Sequence, residues 1–60
     1  MNNQLLAERI THRVLGCGMG LGEAARDVFQ WFGVQLSAED KIDITCRAGR
    51  LITADIQDSL

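Results

Sequence analysis

Residues 15–25 read LGCGMGLGEAA, with glycine at every second position from Gly16 to Gly22. Four glycines this close interrupt any regular element, because each has more backbone freedom to lose on folding than other residues. The run therefore divides the first half of the chain into two pieces. Its spacing does not make a dinucleotide-binding loop, which needs G-x-G-x-x-G between a strand and a helix. Counting from Gly16, the third glycine position holds Leu21, and counting from Gly18 it holds Glu23. The stretch reads as a joint, with a glycine near position 16 or 18 ending the first helix in a left-handed conformation.

On the first side of the joint, residues 3–15 have the period of an amphipathic helix. Leu6, Ala7, Ile10, Val14 and Cys17 share one face, with Glu8, Arg9, His12 and Arg13 opposite. On the other side, the spacing predicts a helix over 21–32, with Gly20 as N-cap, Glu23 in the first turn and Gly33 as a left-handed stop. A Schellman ending there would set Val34 against Phe29; the competing reading carries the helix on to Leu36. The apolar arc of this second helix is wide, and Phe29 and Trp31 lie at its opposite edges. One aromatic is expected against the rest of the domain and the other against a partner.

After LSAED, a polar turn with room for one helical turn begun by Ser37, the period changes to two. In KIDITCRAGRLITADIQD, Ile42, Ile44 and Cys46 alternate with polar residues, as do Ile52, Ala54 and Ile56. Such alternation about a glycine predicts a β-hairpin over 41–57. Parity selects a three-residue loop, Arg47-Ala48-Gly49, which pairs Ile44 with Ile52 and sets Lys41 opposite Asp55. The expected fold is thus α+β: helix 3–15, Gly-rich joint 16–20, helix 21–32 and a C-terminal antiparallel hairpin, in one small domain.

A chain of 60 residues buries only about 60% of its unfolded surface, and its core needs outside support. With 47% hydrophobic residues, no proline and two cysteines, association is the expected support, as a homodimer. A net charge of −2 supplies no positive field for nucleic acid or anionic membranes. No apolar run is long enough to span a bilayer, and the first residues lack a signal-peptide pattern, so the expected setting is the cytoplasm. There, Cys17 and Cys46 would be reduced thiols, read as small buried apolar groups.

The sequence points to no catalysis, cofactor or metal. Zinc spacings are absent, and His12 falls on the helix face away from Cys17. What remains is recognition. Arg47 and Arg50 flank the expected hairpin tip as a fork for phosphates or acidic side chains, and Phe29 and Trp31 offer apolar anchors. The leading expectation is a small non-catalytic regulator or inhibitor that occupies the surface of a protein partner. Its short, acidic, proline-free character is what is expected of phage or mobile-element accessory proteins, including inhibitors of bacterial defence systems such as anti-CRISPR proteins. The second expectation is a nucleic-acid-binding regulator using the arginine tip of the hairpin, a poor fit to the chain's charge and its lack of hairpin aromatics.

Overall fold

The computed structural model describes residues 2–59, the side chains of Val34 and Ser59 excepted. It consists of three α-helices: α1 (Asn3–Cys17), α2 (Leu21–Phe32) and α3 (Ala38–Ser59), with a single 3-10 turn, Gly33–Gln35, between the last two. There is no strand among the described residues, so the α+β reading and its hairpin over 41–57 are overturned.

Each helix end has a local cause. The Asn2 side chain accepts from the backbone N–H of Gln4 at 2.8 Å, capping α1 with one of the residue types that best satisfies free amides. At the other end Gly18 has φ 73°, and the amide of Met19 donates back to the Arg13 carbonyl at 3.4 Å. A left-handed glycine thus stops the helix. The stop occurs at Gly18 rather than at Gly33, whose φ of −68° is right-handed. The chain turns from Gly33 through one 3-10 turn into extended Leu36; the contact expected of Val34 with Phe29 lies outside the described residues. The joint itself shrinks from 16–20 to 18–20, since α1 keeps Gly16 and Cys17. α2 spans 21–32, the span its sequence predicts.

α3 begins where Ser37 accepts from the Asp40 amide at 3.1 Å through Oγ and from the Lys41 amide through its carbonyl. Ser37 and Asp40 stand in the capping-box spacing. From there the helix runs 22 residues, about 33 Å at 1.5 Å per residue. Three features outweigh the strand-like alternation. Ile44, Ala48 and Leu51 recur at helical spacing and reach the core; no proline interrupts the segment; and Asp43 pairs with Arg47 one turn later at 2.7 Å, in the favourable acid-first order. Ile44 and Ile52 are therefore two turns apart on one helix, not paired across a ladder. Lys41 and Asp55 are separated by about 21 Å along the axis, and Arg47-Ala48-Gly49 is mid-helix rather than a loop.

The helices run up, down and up. Asn3 and Gln4 at the start of α1 meet Asp40, Asp43 and Arg47 in α3, so these helices share an end. Leu21, at the start of α2, comes against Gly49, and Gly33, just past its end, against Lys41. α1 packs on both partners. The core is Leu6, Ala7, Ile10, Ala24, Ala25, Val28, Ile44 and Ala48. Half of these are alanines, which let helix backbones approach closely but contribute little apolar area. Val14, Met19, Leu21, Phe29, Phe32, Leu36 and Leu51 close the rim. Residues 53–58 at the far end of α3 are all exposed, in a molecule measuring 37 × 18 × 15 Å.

Candidate docking surface

The polar side chains gather where α1 and α3 begin. Asn3 Nδ2 donates to Asp40 Oδ1 and to Asp43 Oδ2, both at 3.2 Å. Arg47 Nε donates to Asp43 Oδ2 at 2.7 Å, and its Nη1 to Gln4 Oε1 at 3.2 Å. The Asn3 amide, with help from the Ser37 cap, holds the Asp40 carboxyl below the usual 3.8. Arg47 first, then Asn3, does the same for Asp43. Ionised carboxylates are thus favoured by donors aimed at them, and the cluster ties α3 to α1.

Arg47 is consequently engaged within its own chain. Arg50, three residues on, is exposed and borders the same shallow depression as Arg47, Gln4 and Asp43. The two arginines do lie near one another, but on a helix flank beside two of these polar residues. The projecting fork of a hairpin tip does not form, and the nucleic-acid reading loses the feature on which it rested.

On α2 the aromatics divide. Phe29 is half-buried against the core, as is Phe32; the Arg9 guanidinium stacks over the Phe32 ring, 5.5 Å from its centroid. Arg13 Nη1 binds Asp27 at 2.7 Å, while its Nε is shut from solvent with no partner among the described residues. These two contacts fasten α1 to α2 around the rim of the core. Trp31 takes no part in the core and is 73% exposed. Tryptophan is usually well buried even when its ring edge stays wet, so a ring this open is the most anomalous side chain of the surface. Of the four residues expected at a binding site, Trp31 on α2 and Arg50 on α3 are exposed, and Arg50 lies close enough to Asp43 to help favour its ionised form. Phe29 belongs largely to the core and Arg47 to the polar cluster.

Both cysteines are exposed, contrary to their reading as buried apolar groups. α1 ends in a glycine-stopped turn whose last residues find no cover, which leaves Cys17 outside. Cys46 lies on the outward side of α3, opposite Ile44. His12 and Cys17 border one shallow groove on α1 with Leu5, Glu8, Arg9 and Arg13, so they do not point to opposite faces as the helical period suggested. Among the described residues, no group of three or more His, Cys, Asp or Glu is gathered to hold a metal. No helix among them is long and apolar enough to cross a membrane.

Sequence reasoning missed a second exposed apolar group, on α3. Ile42 is 64% and Ile56 52% exposed, and with Gly49 midway they recur every seven residues on one side of the helix. The heptad spacing was present in the sequence, but the same residues alternate too, and the alternation hid it. Comparison with known protein families, characterised proteins and solved structures finds no match for this chain.

Proposed function

We propose that this protein is a non-catalytic interaction module that docks a protein partner through Trp31, acting as a regulator or inhibitor by occupying the partner's surface. The observation that supports this reading is the 73% exposure of the Trp31 ring. It sits on a helix that meets the core through buried Ala24, Ala25 and Val28 and half-buried Leu21, Phe29 and Phe32, so no folding requirement keeps Trp31 apolar. Tryptophan is among the residues that dominate binding hot spots, where truncation commonly costs about 2 kcal/mol or more.

The test is affinity capture from the native host with the wild-type chain and with Trp31→Ala, recovering protein and nucleic acid from the same sample. A protein retained by wild type and lost from the variant, with affinity reduced by about thirtyfold or more, supports the proposal. The indole emission should shift from a water-exposed to a buried signature when that protein is added. Equal retention by the two chains, or recovery of nucleic acid alone, contradicts it.

A further inference from the structure

We propose that a second copy of this chain docks on α3, helix against helix and antiparallel, about a two-fold axis at Gly49. The surface concerned comprises Ile42, Thr45, Cys46, Gly49, Thr53 and Ile56, with half-buried Ile52 at its edge. It lies on a different helix from Trp31, so it goes beyond the docking reading and does not depend on it.

Four observations carry this inference. First, the pattern is self-complementary. Ile42 and Ile56 each lie seven residues from Gly49, so an antiparallel two-fold sets Ile42 of each copy on Ile56 of the other. An isologous interface requires this kind of reciprocity. Gly49 then meets Gly49 of the second copy, where the absent side chains permit close helix approach.

Second, the stripe makes no unmet polar demand. Thr45 Oγ1 donates to the Lys41 carbonyl at 2.8 Å and Thr53 Oγ1 to the Gly49 carbonyl at 2.9 Å. Both hydroxyls are satisfied on their own helix and can be covered without losing a hydrogen bond. Third, charges correspond. On the flank nearer α2, Lys41 of one copy comes about two residues, or 3 Å along the axis, from the level of Asp55 of the other, within reach of its long side chain and twice by symmetry. Asp55 keeps the interaction it already has within its chain, to which a cation is added. Arg50 lies on the opposite flank, where both copies' side chains can splay into water.

Fourth, the single chain leaves its own core thin. Its fully buried large side chains are Leu6, Ile10, Ile44 and Val28, while Ile42, Ile56 and the end of α3 are left to solvent. Small domains with so little core commonly gain their stability by oligomerisation.

Sedimentation velocity over a concentration series from low micromolar to millimolar should show a monomer–dimer equilibrium for the purified chain. Gly49→Glu should weaken the dimer by more than about a hundredfold, because it buries a charge against its own copy. The fold should survive: a Cβ at Gly49 meets only Leu21 Cδ2, at 3.9 Å, and helical circular dichroism checks this. Ile56→Glu, outside the core, should act likewise. Orientation is read by crosslinking in a Cys17→Ser background. Thr53→Cys should give an intermolecular disulfide with the native Cys46, whereas Cys46 alone should not link to itself. A monomer at every concentration, a dimer indifferent to both glutamates, or Cys46 linking readily to Cys46 as parallel helices would allow, each overturns the proposal. None of these results bears on Trp31.

Discussion

At the scale of single residues, side chains of similar sequence character have different fates, and geometry separates them. Gly18 and Gly49 are both helix-associated, but only Gly18 has a positive φ, 73°. Gly18→Ala is expected to lower stability by roughly 1 kcal/mol, the cost of a left-handed alanine. Gly49→Ala should raise that of the dilute monomer by up to about 1 kcal/mol, because the site is helical and open to a methyl group within the chain. Urea unfolding of the two variants, read by circular dichroism, checks both signs.

Asp40 and Asp43 supply a pH-dependent contribution. Their carboxyls are held below 3.8 in the folded chain, so the stabilisation they confer is fully present above that value. It is lost as pH falls through their lowered folded values. Tm should therefore hold down to about pH 5 and drop in more acidic solution, and Asn3→Ala should make the acid-side drop shallower. An unchanged acid limb in that variant would show that Asn3 does not hold these carboxylates.

At the scale of elements, α1 and α2 were legible and α3 was not. Leu6, Ala7 and Ile10 follow one period only, and the glycines between the helices leave no competing register. Residues 41–57 satisfy two periods at once. Ile42, Ile44 and Cys46 alternate as in a strand, while Ile44, Ala48 and Leu51 recur as in a helix, and isoleucine and threonine tilt a local reading toward β. Tertiary packing decides, because Ile44 and Ala48 reach the α1–α2 core only on a helix. The signals that could have separated the alternatives are Ser37 with Asp40 in capping-box spacing and Asp43 one turn before Arg47. Ser37→Ala should cost about 1 kcal/mol, read as loss of hydrogen-exchange protection over the first turns of α3. A hairpin would show no such linkage.

The candidate site was legible in proportion to the helices carrying it. Trp31 could be placed at the edge of the apolar arc because the α2 boundaries were right. Arg47 and Arg50 were assigned to a projecting tip because the hairpin was wrong, and Ile42 and Ile56 were read as part of that hairpin's apolar face for the same reason.

For the whole molecule, the balance is between a thin core and a surface richer in apolar groups than the core needs. Leu5, Leu15, Trp31, Ile42 and Ile56 are all exposed, while half of the buried set is alanine. A chain this short is expected to hold only about 3–9 kcal/mol of stability, and Ile44→Ala should remove about 2–5 kcal/mol, enough to leave much of the population unfolded. The two proposed associations, through Trp31 and along α3, would give this surplus apolar surface its use.

The three-helix fold, the polar cluster and the α3 interface all depend on residues 38–59 forming one continuous helix packed on the other two. Backbone carbon chemical shifts from solution NMR test that directly. A continuous α3 gives helical deviations of one sign from Ala38 through Asp58, unbroken at Ala48 and Gly49. Deviations of the opposite sign over 42–46 and 52–56, separated by a turn, would restore the hairpin and contradict the fold, the polar cluster and the α3 interface together.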